Sequence, residues 1–508
     1  MLPPPAADAP PIERRADLLQ SFLSDAAHVP GGFAAGIAFP KSAGEVAALV
    51  TSARRVLPIG AQSSLTGGAT PRGEVVISTR ALTGVTRLPS QMVRVGAGVP
   101  LSELQRVLAA DALYYPPVPT YDGAFIGGTI ATNAAGAATF KYGSTRRWVE
   151  ALSVVLADGS LIEVRRGEVT ASPEGWFELE YPSGTSIRVP VPTYVMPDVA
   201  KLSAGYFARP GMDLIDLFIG SEGTLGIVTA ATLRVIPLPR RSVVLAACDS
   251  DSQAAAVTAA LRREATSSWR GEGALDVSAV EFMDSRALAV VVDEAFARAG
   301  VARPARGAGL LLVQIEITGG EDAALEQMDA VLHACGVHVD PHVALPGDER
   351  GAACLFELRE AVPASLNAMI AAAKLRVDPD IEKTAGDLIV PFERLEESLA
   401  LYRETFERCG LEYALWGHVS DGNMHPNVVP RSLEDVHRGK AAILDIARRV
   451  VAMGGAPLAE HGVGRSALKQ QLLRELYGED GIEEMRAVKR ALDPEWKLAP
   501  GVLFTSAG

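Results

Sequence analysis

The sequence predicts an α+β protein built from two α+β units and a helical C-terminal segment. From about residue 50 to residue 234, short β-branched runs alternate with glycine-rich turns and brief helical patterns. Two prolines in IPLPRR, residues 236–241, interrupt this pattern, and from about residue 242 to residue 453 alanine-rich helical segments alternate with further strands. At 508 residues, the chain also exceeds what one hydrophobic core usually organises.

These patterns divide the chain into four segments. We expect a disordered, proline-rich lead-in over residues 1–25, a first α+β unit over residues 26–238 and a second over residues 239–455. In the first unit the clearest helix is LSELQRVLAADA, opened by Pro100. The remaining segment, residues 456–508, has the pattern of two short amphipathic helices ending at Asp493 and Pro494.

Composition and charge exclude several classes of protein. The net charge of −13 without long charged runs argues against nucleic acid as the main partner. No stretch approaches the roughly 18 to 20 apolar residues of a membrane helix, and the N-terminus lacks the pattern of a secretory signal. The four cysteines are scattered, which disfavours an iron–sulfur cluster, a thiolate zinc site or a disulfide framework. We therefore expect a soluble, cytoplasmic protein without a transmembrane segment.

Three glycine-rich loops in the first unit suggest a site for a flat, phosphate-bearing ligand. They are PIGAQSSLTGG at residues 58–68, GGTIATNAAG at 127–136 with KYG at 141–143, and GSEGTLGIV at 220–228. Backbone N–H groups in such loops can bind a pyrophosphate, and glycine lets the chain approach it closely. Each loop alone could instead be a surface loop, a packed helix–strand junction or a tight turn. No Rossmann G-x-G-x-x-G and no P-loop motif occurs.

A second group of residues has the composition of a metal site. In WGHVSDGNMHPN, His418 and His425 flank a D-G-N turn, so that a strand–turn–strand could bring both rings to one point, and Glu460 and His461 follow downstream. A competing pair, His338 and His342, is separated by Pro341, which breaks the helix needed to align it. We interpret those two as ordinary histidines, together with His28, His333 and His437.

The order of these motifs resembles the vanillyl-alcohol-oxidase/PCMH flavoproteins, in the branch of the glycolate oxidase subunit and the D-lactate and D-2-hydroxyglutarate dehydrogenases. The resemblance extends from about residue 40 to residue 504, and the blocks SEGTLGIVT and GHVSDGNMH are its most specific parts. It implies a PCMH-type FAD-binding domain of two α+β subdomains and an α+β substrate (cap) domain with an antiparallel sheet. It also implies that the C-terminal helical segment returns to the FAD domain.

The resemblance implies that FAD lies along the three loops. Gln62 and Thr66 depart from the glycine or small residue of many relatives, and no histidine or cysteine stands where a covalent flavin link would form, so we expect non-covalent FAD. The implied cofactor-binding residues are Pro58, Gly60, Ala61, Gln62, Ser63, Ser64, Leu65, Thr66, Gly127, Gly128, Thr129, Ala131, Thr132, Asn133, Gly136, Tyr142, Gly143, Glu222, Gly226, Ile227 and Val228.

The resemblance also implies roles for the polar residues of the second unit. His418, His425 and Glu460 would bind a divalent metal, with zinc expected, and His461 would act as the base. Arg359, in LREAVP, would bind the substrate carboxylate with Asn427, although a helical arginine paired to Glu360 or facing solvent is the alternative. Lys383 would be the substrate lysine, but EKTAGDLIVP is longer than the usual motif.

Together these features predict FAD-dependent oxidation of a D-2-hydroxy acid to the 2-oxo acid. The electrons would pass to an external acceptor: an electron-transfer flavoprotein, a quinone, a cytochrome or an iron–sulfur subunit. A homodimer is compatible with the sequence. Three alternatives stay open, namely a sugar or alditol oxidase of the same superfamily, a non-catalytic FAD-binding subunit of a larger complex, and a metal hydrolase that uses the histidine pair.

Overall fold

The computed structural model describes residues 8–180, 184–305 and 307–505 and confirms the α+β class. In the first unit the strands are β1 Gly36–Ala38, β2 Val56–Ile59, β3 Val75–Ser78, β4 Val85–Leu88, β5 Met92–Gly96, β6 Leu113–Tyr114, β7 Val149–Val155, β8 Leu161–Arg165, β9 Trp176–Glu180, β10 Ser186–Pro190, β11 Ile227–Arg234 and β12 Ile236–Pro237. Its helices are α1 Ala16–Leu19, α2 Ala43–Ser52, α3 Leu101–Ala109, α4 Ile126–Ala131, α5 Thr139–Tyr142 and α6 Ile215–Phe218.

The second unit and the C-terminal segment contain the longer helices. The strands are β13 Arg241–Cys248, β14 Asp276–Met283, β15 Gly309–Glu316, β16 His342–Ala344, β17 Leu388–Ile389, β18 Tyr413–His418 and β19 Asn423–Val428. The helices are α7 Asp251–Ser268, α8 Ser285–Ala289, α9 Asp293–Ala299, α10 Glu321–Ala334, α11 Glu349–Arg376, α12 Leu395–Arg408, α13 Leu433–Ala452 and α14 Ala467–Leu492. Within the residues described, no helix is both long enough and apolar enough to cross a bilayer.

The first unit contains two sheets of different character. β1, β3 and β2 form a parallel three-stranded sheet, whereas β4, β5, β11, β7 and β8 form an antiparallel five-stranded sheet. Their apolar side chains share a core with both halves of α14, through residues such as Leu473 and Met485. The C-terminal segment therefore packs on the first unit. Gly478, with non-helical backbone angles, divides α14 into two helical stretches.

The second unit is a seven-stranded antiparallel sheet with the strand order β16-β13-β15-β14-β18-β19-β17. Alternate residues of β13 point to opposite faces, so Val244 enters one hydrophobic cluster and Val243 another. Helices cover both faces. The antiparallel sheet expected for this unit is present.

The expected disordered lead-in is wrong for residues 16–25. This stretch contains α1 and a 3-10 turn, and Phe22 is buried in the first core. Gln62 donates a side-chain hydrogen bond to the Ser24 carbonyl, and Asp25 accepts the Ala69 N–H. The segment is ordered because it packs against the first glycine-rich loop. Residues 1–7 lie outside the described residues.

Candidate functional site

The three glycine-rich loops meet in the first unit. Gly220 N–H donates to the Ile130 carbonyl at 3.0 Å and Glu222 N–H to the Ala131 carbonyl at 2.8 Å, which joins the third loop to the second. A Cβ added to Gly223 would lie 2.7 Å from Pro58 Cγ, so the third loop also touches the first. Segments up to 165 residues apart thus form one surface.

Glycines in the second loop allow close packing below this surface and leave room above it. A Cβ on Gly127 would lie 2.8 Å from the Ala97 side chain, and one on Gly136 would lie 2.0 Å from the Val118 carbonyl. A Cβ on Gly128, by contrast, would meet nothing within 4 Å. This open space beside three loops fits a flat cofactor such as FAD.

The two departures from the family pattern have structural explanations. Gln62 adopts a left-handed backbone conformation, φ 57°, and its carbonyl accepts the Ala26 N–H. The Thr66 carbonyl accepts the Arg465 N–H at 3.0 Å, and a Cβ on Gly464 would lie 2.2 Å from Thr66 Oγ1. The first loop is therefore held between the N-terminal segment and the turn that follows His461.

Other expected cofactor residues face protein neighbours. The Tyr142 hydroxyl contacts the Glu316 carboxylate at 2.5 Å, at the interface with the second unit. Ile227 and Val228 are buried in β11, and a Cβ on Gly226 would lie 2.4 Å from Val154. Glu222 accepts N–H groups from the turn after His461, as described below. For these residues the structure shows roles in packing and in joining segments.

The histidine motif forms the predicted strand–turn–strand. β18 ends at His418, β19 begins at Asn423, and the two strands pair with Trp416 opposite His425. A left-handed glycine, Gly422 with φ 82°, closes the turn, and a Cβ there would lie 2.3 Å from the Val390 carbonyl. Both histidines are buried, with ring centroids 5.5 Å apart.

Glu460 lies between three histidine rings. Its Oε2 is 3.4 Å from His418 Nε2, and its Oε1 is 3.2 Å from His425 Nε2 and 3.5 Å from His461 Nε2. We call His418, His425, Glu460 and His461 the histidine cluster. Only His461 reaches solvent to a useful extent, since its side chain is 30% exposed against 1% and 8% for the other two.

Two buried carboxylates that the sequence reasoning missed lie beside the outer nitrogens of these rings, and they contact those of His418 and His461 closely. Glu281 Oε1 lies 2.6 Å from His418 Nδ1. Asp387 Oδ2 lies 3.1 Å from His461 Nδ1, and its Oδ1 lies 3.7 Å from His425 Nδ1. A carboxylate on the far nitrogen is the usual way in which a protein orients a metal-binding histidine. The sequence held only weak signals for these two residues. Glu281 is an acidic residue within the apolar run AVEFM, and Asp387 follows Lys383 in the segment TAGDLIV.

Burial and the charges of neighbouring carboxylates balance differently at His425 and at His418. Burial lowers the pKa of His425 to about 4, which favours the neutral ring that a metal needs. Burial also opposes protonation of His418, but the Glu281 and Glu460 carboxylates outweigh it and raise the pKa of His418 to about 9. For Glu460, the Lys201 and His418 charges outweigh burial and hold its pKa well below the usual range.

Lys201 is a second residue that the sequence reasoning missed. Its side chain comes from the first unit and is 1% exposed, and its ammonium lies 2.9 Å from Glu460 Oε2 and 3.1 Å from Asp421 Oδ2. The pKa of Lys201 is raised because these two carboxylates outweigh its burial. Since His418 and His425 belong to the second unit and Lys201 belongs to the first, the cluster lies where the two units meet.

Arg359 and Asn427, two of the expected carboxylate-binding residues, lie beside the cluster. Arg359, in α11, is 5% exposed and donates to Glu281 at 3.0 Å and to Glu360 at 2.8 Å, so the pairing with Glu360 is present. Asn427 is buried, and its Oδ1 has no hydrogen-bond partner. Desolvation by the surrounding protein and then the charge of Lys469 lower the pKa of Lys383. The remaining histidines, His28, His333, His338, His342 and His437, are exposed away from the cluster.

The donor atoms suit a divalent metal. Four residues can each place one ligand atom within 4.8 Å of the others: Asp387, His425, Glu460 and His461. His418 lies next to this group, because its Nε2 is 3.4 Å from Glu460 Oε2. Buried imidazole and carboxylate groups are the ligands that zinc and similar ions take in proteins. His425 Nδ1 and Asn423 Oδ1 also lack hydrogen-bond partners, which indicates that the local bonding is incomplete without a ligand.

Known proteins are similar to this chain over most of its length. Residues 34–165 match the family model of an FAD binding domain, and residues 239–503 match that of FAD linked oxidases, C-terminal domain. A glycolate oxidase subunit of Bacillus subtilis is 29% identical over 92% of this chain and 88% of its own. A probable mitochondrial D-lactate dehydrogenase of Danio rerio is 30% identical over 92% and 83% of the two chains. A D-2-hydroxyglutarate dehydrogenase of Xanthomonas citri is 30% identical over 92% and 89%.

A solved structure of alkyldihydroxyacetonephosphate synthase shares the fold. Its TM-score is 0.57 at 16% sequence identity, and the match covers 91% of this chain and 75% of that one. At this identity the likeness concerns the fold alone. Together with the two matched family models, it shows that the chain belongs to the FAD-linked oxidases and has the PCMH-type FAD-binding fold.

Proposed function

We propose that this protein oxidises a D-2-hydroxy acid to the corresponding 2-oxo acid with non-covalent FAD and passes the electrons to an external acceptor. The observation that carries the proposal is the convergence of three histidine Nε2 atoms on Glu460, at the meeting point of the two units. The names of the relatives above support the same reaction class. A sugar or alditol oxidase would not need this cluster.

A divalent metal, which we propose to be zinc, would be bound by His418, His425 and Glu460. Bound there, it would polarise the substrate hydroxyl and favour loss of its proton. Glu281 and Arg359 support the ligands from behind, since Glu281 holds His418 Nδ1 while Arg359 neutralises the Glu281 charge. This arrangement leaves His418 Nε2 directed toward Glu460.

Arg359 and Lys383 are the cations that we propose for the substrate carboxylate. Arg359 is paired with Glu360, whose side chain is 44% exposed, so an incoming carboxylate can replace that partner while the buried Glu281 stays in place. Asn427 offers a buried amide whose Nδ2 donates to the His425 carbonyl at 2.9 Å and carries a second N–H that can be donated to a carboxylate. Lys383 supplies a further positive charge. Within the part of the chain that the structure describes, no carboxylate pairs with it.

His461 is proposed to take the hydroxyl proton. Its Nε2 points to the Glu460 carboxylate, and it is the ring of the cluster that reaches solvent. When FAD is bound on the glycine-rich surface, it supplies the acceptor for the hydride that leaves the substrate α-carbon. The product is the 2-oxo acid. The reduced cofactor then requires an acceptor outside the chain, because the four cysteines form no cluster motif.

The experiment that tests this function is anaerobic bleaching of the bound flavin by a panel of D- and L-2-hydroxy acids, including lactate, glycolate and 2-hydroxyglutarate. We expect rapid bleaching by at least one D-isomer and a stoichiometric divalent metal in the purified protein. Bleaching by L-isomers alone contradicts the stereochemistry. Bleaching by sugars or alditols without bound metal favours the oxidase alternative, and a flavin that no hydroxy acid reduces favours a non-catalytic subunit.

A further inference from the structure

Asp387 occupies a central position beside the histidine cluster. It is 3% exposed and follows the loop that carries Lys383. Its Oδ2 accepts the backbone N–H groups of Glu460 and His461, both at 2.9 Å, and lies 3.1 Å from His461 Nδ1. Its Oδ1 accepts an N–H from Asn423 Nδ2 at 3.2 Å. One carboxylate therefore fixes both the backbone and the ring of His461.

Asp387 is one of the four residues whose donor atoms converge, but the bonding of its oxygens distinguishes it from Glu460. Oδ2 already has three donors, and Oδ1 has one donor and lies 3.7 Å from His425 Nδ1. Glu460, in contrast, faces three Nε2 atoms. An oxygen that already accepts several N–H groups has little capacity left for a metal. Asp387 thus has the surroundings of a group that supports ligands.

We propose that Asp387 is the positioning residue of His461. By accepting the Nδ1 N–H and the backbone N–H of His461, it fixes the orientation of the ring and the tautomer in which Nε2 carries the lone pair. This inference rests on the proposed function, because it assigns His461 the role of the base. It adds a group that acts through His461 without touching the substrate.

The reaction balances with this assignment. With FAD bound, the substrate O–H bond would break and its proton would form an N–H bond at His461 Nε2, while the hydride of the α-carbon would pass to the flavin and leave a carbonyl carbon. The substrate would be oxidised by two electrons and the flavin would be reduced by two. Throughout, the Nδ1 proton stays on His461 and is held by Asp387.

The test compares D387N with a matched control, D284N. Asp284 is also buried in the second unit and also accepts backbone N–H groups, from Ala287 and Leu415, but it contacts no histidine. Both proteins are purified with bound FAD and metal and mixed anaerobically with the best D-2-hydroxy acid. The readouts are the limiting rate constant of flavin reduction, the apparent dissociation constant of the substrate, and the metal content.

We expect D387N to reduce its flavin about 10²-fold more slowly or worse, with little change in substrate affinity or metal content, while D284N behaves as the wild type. A rate within about threefold of the wild type overturns the proposal. Complete loss of the metal from D387N overturns it as well, because removing a carboxylate that only supports a ligand weakens metal binding by about 10- to 100-fold and does not abolish it.

A measurement that does not depend on turnover separates this inference from the proposed function. Proteins with ¹⁵N-labelled histidine, with H461Q used for assignment, report by NMR which ring nitrogen of His461 carries the proton. We expect the proton on Nδ1 in the wild type and loss of that state in D387A. A wild-type His461 protonated on Nε2 alone overturns the inference. If no hydroxy acid reduces the wild-type flavin, the proposed function fails and the NMR result alone decides the position of the proton.

Discussion

Two buried ionic clusters of this protein differ in how completely their polar groups are bonded. The C-terminal anchor consists of Lys489 and Asp493: the Lys489 ammonium donates to Asp493 at 2.5 Å and to the Thr224 and Leu498 carbonyls at 2.6 and 2.8 Å. Asp493 in turn accepts backbone N–H groups from Lys497 and Leu498. In the histidine cluster and its surroundings, His425 Nδ1, Asn423 Oδ1 and Asn427 Oδ1 have no partner.

This difference in hydrogen bonding indicates that the two clusters have different roles. Buried polar groups without partners reduce stability, and the anchor, which holds segments of the fold together, satisfies the polar groups of both its residues. The anchor ties α14 to the third glycine-rich loop through Thr224. The histidine cluster leaves polar atoms available and spreads the pKa values of its two buried histidines in opposite directions, which is typical of a functional site. Substitutions in the two clusters should therefore affect different properties.

The largest effect on activity is expected from H425A. Loss of a neutral, buried imidazole ligand should remove the metal and lower the rate of flavin reduction by about 10³-fold or more. The free energy of unfolding of the metal-free protein should change by only about 1 kcal/mol, because an unsatisfied polar group is lost along with the ring. Metal analysis, stopped-flow absorbance and urea unfolding measure the three quantities. Full metal content in H425A would contradict the assignment of this ligand.

The reverse pattern is expected from K489M. Removing the ammonium leaves the Asp493 carboxylate and two carbonyls buried without their cation, which should cost about 3 to 5 kcal/mol of unfolding free energy. Metal content and the flavin reduction rate of the folded fraction should match those of the wild type. Urea titration against the wild type measures the loss. A stable K489M protein with impaired flavin reduction would show that the two clusters are coupled.

The sequence predicted the parts of the site that depend on local structure. His418 and His425 share one hairpin whose D-G-N turn is visible in the sequence, and the glycine-rich loops could be recognised one by one. Glu281 and Lys201 could not be predicted, because both reach the cluster from distant parts of the sequence. Glu281 is more than 130 residues from its partner His418, and Lys201 is more than 250 residues from its partner Glu460. The ordered N-terminal segment was missed for the same reason: Phe22 and Asp25 are held by contacts with distant residues.

A smaller effect should follow from E281Q. The glutamine keeps the shape of the side chain but removes the charge that holds His418 Nδ1, so the metal affinity should fall by about 10- to 100-fold. Competition with a chelator measures the affinity. E316Q is the matched control, since Glu316 is a buried carboxylate of the neighbouring strand that pairs with Lys141 and contacts no histidine. Equal losses in both variants would mean that the total charge of the sheet matters rather than the contact with His418.

The smallest effect is expected for Glu222, which connects the third glycine-rich loop to the turn after His461. This effect is on stability and depends on pH. Glu222 accepts the Val463 and Gly464 N–H groups at 2.8 and 2.9 Å, yet burial outweighs these bonds and raises the pKa of Glu222 to about 7. The folded state then binds the Glu222 proton more tightly than the unfolded state. The stability of the wild type relative to E222Q should therefore fall as the pH rises from about 4.5 to about 7, and should stay constant above that.

The expected fall is about 1 to 2 kcal/mol in total, because partial exposure of Glu222 to solvent screens its charge. Urea unfolding of both proteins at several pH values from 5 to 8 measures it. A stability difference that does not change with pH would show that Glu222 is ionised in both states. The two backbone N–H groups would then outweigh burial, and this connection would resemble the fully bonded anchor more than the histidine cluster.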